Sequence, residues 1–84
     1  MGNRAYKLLE RMRSSNAGWK RNDLDKLYEG FGFIIEHRKR HDKAFHPDYP
    51  QLFGMLPRHN PVGEAYIDKA IENIDKLLLM TRKK

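Results

Sequence analysis

The chain is 84 residues long, with 17 Lys and Arg against 11 Asp and Glu, a formal net charge of +6 and no cysteine. That length suits one small core, read as a single domain over 1–84, since a chain this short buries only about 60 to 65% of its unfolded surface. The missing thiols exclude a disulfide scaffold, Cys-ligated zinc and a thiol nucleophile and suit a reducing, cytoplasmic setting, while the absence of a long apolar run predicts a soluble, unexported protein with no membrane partner.

In chain order, Ala5, Leu8, Leu9 and Met12 recur at helical spacing, one apolar stripe on a first helix that Ser14 to Gly18 ends. Leu24, Leu27, Tyr28 and Phe31 repeat the spacing in a second helix. Asn22 is its expected N-cap, Asp23 and Asp25 favour its dipole, and Gly32 is the expected left-handed residue after its end. Phe33 to Arg38 reads as a strand, because β-branched and aromatic residues cluster there, followed by a turn at Lys39-Arg40. A second strand from about His41 to His46 stops at Pro47, and after the loop at Asp48-Tyr49-Pro50 a third covers Leu52 to Leu56 and closes at Pro57. Asn60-Pro61 signals the last helix, Asn as cap and Pro at the first helical position. That helix carries Ile67, Ala70, Ile71, Ile74, Leu77 and Leu78 on one face. The order α-α-β-β-β-α predicts an α+β domain, a three-stranded antiparallel sheet with helices packed on one face. Tyr6, Tyr28, Phe31 and Phe33 are expected in the core. Trp19 and Tyr49 are base-stacking candidates, although an aromatic in a small domain is more often packing.

The charge is uneven: residues 1–43 carry 11 basic and 6 acidic side chains, residues 44–84 carry 6 and 5. His37 to Lys43 packs four fixed cations, two histidines and one carboxylate into seven residues. Such a run is either a solvated hairpin tip that guards a sheet edge or a patch that faces a polyanion such as RNA.

Four histidines, His37, His41, His46 and His59, raise the question of metal. No pair sits at i, i+4 on an expected helix, and His41 and His46 would point to opposite faces of a strand, so neither a metal site nor a cofactor is expected. His41 stands among Arg38, Lys39, Arg40 and Lys43, where histidine, the side chain whose unperturbed pKa is closest to neutral, meets cations able to hold a phosphodiester. In RNA the 2′-hydroxyl is the nucleophile, so a base, an acid and positive charge suffice for cleavage. The plainer reading of His41 is a solvated turn residue. Asp42, its strand neighbour, faces the other way and is not assigned to orient it.

One resemblance runs through the chain. Leu24-x-x-Leu27-Tyr28 leads into Gly30-Phe31-Gly32-Phe33, then come Arg38-Lys39-Arg40-His41, Phe45-His46-Pro47 and Leu56-Pro57-Arg58-His59-Asn60 before the closing amphipathic helix. In this order the segments resemble the HicA family of toxins from bacterial toxin-antitoxin operons, in particular members with an extra N-terminal helix. The resemblance implies a fold like a double-stranded RNA-binding domain (dsRBD-like), metal-independent cleavage of mRNA, and neutralisation by a cognate HicB-like antitoxin. It places the family's active histidine at His41. On this reading Arg38, Lys39, Arg40 and Lys43 hold RNA phosphates. Apart from the resemblance, His59 and His46 are accessory candidates: His59 faces RNA or the antitoxin or else serves a structural turn, and His46 is otherwise a partly buried strand end. Lys39 and Arg40 stand where the family has Gly and Ser/Thr, which removes a permissive glycine and a small hydroxyl and adds charge. Two alternatives follow: a non-catalytic RNA-binding module of the same fold, and a basic interaction protein that docks an acidic partner.

Overall fold

The structure is a computed structural model that describes residues 2–82. The first apolar stripe forms α1 (Gly2–Ser14), in which Ala5, Leu9 and Met12 are buried. The second forms α2 (Arg21–Gly30), burying Leu24, Leu27 and Tyr28. Its end is fixed by Gly32, whose φ of +88° is left-handed backbone that an L side chain rarely adopts. There the Gly32 N–H donates to the Glu29 carbonyl at 3.0 Å and the Phe33 N–H to the Tyr28 carbonyl at 3.0 Å. The Phe33 ring, 4.9 Å from that of Tyr28, adds the apolar contact such a terminus favours.

β1 (Ile34–His37), β2 (Asp42–Phe45) and β3 (Phe53–Leu56) form an antiparallel sheet in the order β1-β2-β3. Two-residue alternation turns Asp42, Ala44, Gly54 and Leu56 inward, all buried. α3 (Glu64–Arg82) lays Ile67, Ala70, Ile74 and Leu77 into the same core. On α3 the buried Asn73 amide donates to the Phe53 carbonyl at 2.9 Å and to the Tyr28 hydroxyl at 3.3 Å. Burial pushes the Tyr28 phenol up to about 12, with the Asn73 bond acting the other way. The helices leave the opposite face of the sheet open: Ile34, Phe45 and Phe53 make one cross-strand row, and Glu36, Lys43 and Met55 the next. No helix among the described residues is long and apolar enough to cross a membrane.

Several local expectations are corrected. Asn22 is the second residue of α2, not its cap; Lys20, in extended backbone, occupies that position, and its N–H donates to the Asp23 carboxylate at 3.1 Å. Asn60-Pro61 does not start α3, which begins at Glu64. The Asn60 side chain instead accepts the Arg21 N–H at 2.7 Å, so it caps α2 from across the chain. The turn at Lys39-Arg40 widens to a loop over 38–41, because the last pair of β1 and β2 is His37 with Asp42. His41 thus precedes β2 and His46 follows it. Tyr6 is 47% exposed rather than core, because it sits beside the α1 stripe, not on it. Its ring meets that of the half-buried Phe31 edge-on at 5.1 Å.

Candidate functional site

The site begins with a residue that β2 must bury. Asp42 faces inward by the alternation of its strand, and its side chain is only 4% exposed, so an unpaired charge there would be strongly unfavourable. Three cationic or polar groups from different segments meet it. Arg58, just beyond Pro57 at the end of β3, donates to Asp42 Oδ1 from Nη2 at 2.8 Å and from Nε at 3.2 Å. Arg21, in the first turn of α2, reaches Oδ2 from Nη1 at 2.8 Å. His37, at the end of β1, brings Nδ1 to 3.2 Å from Oδ1. The hydrogen bonds from Arg58 foremost, helped by Arg21 and His37 and opposed by burial, hold the Asp42 carboxyl well below the usual carboxylate range.

The same guanidinium holds the hairpin. Arg58 donates from Nη1 to the Lys39 carbonyl at 3.1 Å and from Nη2 to the Arg38 carbonyl. Arg21 ties this cluster to the rest of the fold, with Nε on Asp25 at 2.7 Å and Nη1 on the Pro57 carbonyl at 2.9 Å. The loop 38–41 is therefore bonded through the Arg38 and Lys39 carbonyls to the guanidinium that pairs with the buried Asp42.

Arg38, Lys39, Arg40 and His41 are all exposed on this loop. Arg38 is partly neutralised by Glu36, 2.9 Å from its Nε. Lys43 is separated from them: by strand alternation it lies on the open face of the sheet, its Nζ 4.8 Å from the Phe53 ring centroid and 6.0 Å from that of Phe45. His59 is exposed in the connection after β3, next in sequence to Arg58.

His46 is buried and has a structural post. Its Nδ1 accepts the Asp48 N–H at 3.1 Å, and its ring packs 5.2 Å from Phe33 and 5.4 Å from Tyr49. Trp19 and Tyr49 are half-buried against the core, and the Trp19 indole N–H donates to the Ser15 carbonyl at 2.7 Å. Packing is the role both show. Among the described residues no three His, Asp or Glu side chains gather as a set that could hold a metal ion.

The loop is legible in the sequence, but the groups that hold it are not: Arg58 lies 16 residues from Asp42, and Arg21 reaches it from another element. The available signal was Asp42 itself: a lone carboxylate at an inward position of a strand requires cations from elsewhere in the fold.

Chemically, the arrangement offers an exposed imidazole beside fixed cations on an anchored backbone, together with a second imidazole 3.2 Å from a buried carboxylate. Guanidinium and ammonium groups pair with phosphates in general, and imidazole is a common proton carrier. Compared with protein-family models, with curated proteins and with solved structures, the chain matches none of them.

Proposed function

We propose that the chain is a HicA-like toxin of a type II toxin-antitoxin system, a dsRBD-like, cytoplasmic endoribonuclease that cleaves mRNA without metal or cofactor and is neutralised by a HicB-like antitoxin. The observation that carries this reading is the exposed His41 on a loop whose basic tip is fastened by Arg58 to the buried Asp42. In the proposed mechanism Lys39 and Arg40 attract the RNA backbone and offset the charge that develops on phosphorus, while His41 exchanges a proton with the reacting oxygens. An anchored loop suits this task, since a catalytic side chain on freely moving backbone loses the advantage of position.

A second reading, a non-catalytic RNA-binding module, is favoured by Lys39-Arg40, which adds phosphate-binding charge where the family carries Gly and Ser/Thr. The two readings separate in cells. Induction of the wild-type chain without an antitoxin should arrest growth, and His41→Ala should relieve the arrest while accumulating to the same level. Equal arrest by both, or by neither, would remove His41 catalysis as the function.

A further inference from the structure

We infer that His37 is a second proton-transfer residue of this site, its Nδ1 held by Asp42 so that Nε2 can serve as base toward the 2′-hydroxyl of single-stranded RNA. The inference rests on the RNA-cleaving reading above and adds the group that reading lacks. Cleavage by the 2′-hydroxyl needs one group that accepts a proton and one that donates, and a single imidazole cannot be neutral and protonated at once.

Geometry selects His37. It is the register partner of Asp42 on the neighbouring strand, so the two side chains share a face of the sheet at the root of the loop. The carboxylate is 4% exposed and the imidazole 77%, with 3.2 Å between Nδ1 and Oδ1. An ionised carboxylate only accepts hydrogen bonds, so the 3.2 Å approach of Nδ1 to Oδ1 favours the tautomer with its proton on Nδ1. The lone pair of the neutral ring then lies on Nε2, the nitrogen not engaged by Asp42. The charged groups around it are Asp42 from β2, Arg21 from α2, Arg58 from beyond β3, and Glu36 and Arg38 from its own strand and loop. Because two guanidiniums share Asp42, the carboxylate acts on His37 chiefly by orientation, as a buried aspartate does for other catalytic imidazoles.

His37 and His41 stand on opposite limbs of one loop, with Arg38, Lys39 and Arg40 between them. In the step proposed, the 2′-hydroxyl proton passes to His37 Nε2 and the 2′-oxygen bonds to phosphorus. The bond from phosphorus to the 5′-oxygen breaks, and that oxygen takes a proton from the His41 imidazolium. The products are a 2′,3′-cyclic phosphate and a 5′-hydroxyl.

The test uses purified full chain free of any antitoxin, a single-stranded RNA oligonucleotide, and EDTA throughout. The pH profile of kcat/KM is measured for wild type, His37→Ala, His37→Gln and His41→Ala, with each variant's stability checked by urea unfolding. His37→Gln keeps a hydrogen-bond donor for Asp42 but cannot move a proton, so it controls for a structural role. Both His37 variants should lose about 10² to 10⁴-fold in rate and the rise of activity on the acid side of the profile. In the wild-type imidazole nitrogen NMR spectrum, neutral His37 should carry its proton on Nδ1. Cleavage by either His37 variant as fast as wild type, or a proton on Nε2, overturns the inference and leaves the ribonuclease reading standing. If wild type itself leaves the RNA intact, both fall together.

Discussion

Arg58 Nη2 lies 2.8 Å from Asp42 Oδ1, and the same guanidinium bonds the backbone carbonyls of Arg38 and Lys39. One side chain therefore couples a buried carboxylate to the shape of an exposed basic loop. Burying Asp42 is tolerable because three partners meet it, and the loop is tied down at two carbonyls because one of those partners extends beyond Asp42. Stability and candidate activity share these atoms.

Asp42 should dominate the acid sensitivity of the fold. An unfolded aspartate titrates at about 3.9, and Asp42 in the fold titrates lower, through its hydrogen bonds to Arg58 first and then to Arg21 and His37. Its contribution is then full above the unfolded value and is lost as pH falls below about 4 toward the folded one. Asp42→Asn should cost about 3 kcal/mol near neutral pH, because it leaves two guanidiniums facing a neutral group. The same substitution should flatten the decline of stability between pH 5 and pH 2, a range of about the carboxylate titration. Urea unfolding of both proteins across that range measures both effects.

Arg58→Ala should loosen the loop more than it weakens the fold. The Arg58 side chain is 46% exposed, so the loss in global stability should be about 1 to 2 kcal/mol. Hydrogen exchange of amides in 38–41 should quicken well beyond what that loss produces, and RNA cleavage should fall with the loop's order. Unchanged exchange in the loop would show that Arg58 does not hold it.

His46 separates packing from chemistry. His46→Ala removes the acceptor for the Asp48 N–H and the ring between Phe33 and Tyr49, a loss of about 1 to 2 kcal/mol. Under conditions where the variant remains folded, its cleavage rate should equal wild type. A rate defect without a stability defect would make His46 an accessory residue of the site.

What the sequence revealed and what it hid divides by distance along the chain. The stripes of α1 and α3 were legible because helical spacing puts their buried residues on one face, and Gly32 because a left-handed terminus favours glycine. The order of elements along the chain and the basic loop follow from local residue types. The cap on α2 was not legible: Asn60 lies 39 residues from the N–H it accepts, while Asn22 offered the usual local signal. Arg58 is likewise 16 residues from Asp42, and nothing near either residue specifies the other. Tyr6 is apolar enough for a core but lies beside the α1 stripe, so its angle around the helix and not its residue type sets its exposure. Partners such as Arg58 and Asp42 are brought together only by the tertiary fold, and no neighbouring residue specifies them.

Gly54 is a further consequence of register. A Cβ at this position would collide with the Tyr28 hydroxyl and come within 3.4 Å of the Asn73 amide nitrogen. Gly54→Ala should therefore cost about 2 kcal/mol by overpacking between β3, α2 and α3. Gly18→Ala meets no neighbour within 4 Å but keeps a left-handed φ of +79°, so its cost comes from the backbone alone. Pairing Gly54→Ala with Tyr28→Phe, which removes the obstructing oxygen, should recover part of the Gly54 loss, and thermal unfolding of the double variant checks it.

The most direct measurement of the central claim is cleavage of single-stranded RNA by purified chain in EDTA, with wild type and His41→Ala compared at equal folded concentration. The account predicts fragments ending in 2′,3′-cyclic phosphate from wild type and a rate lower by about 10² to 10⁴-fold from the variant. RNA left intact by wild type, or cut equally well by His41→Ala, would contradict it.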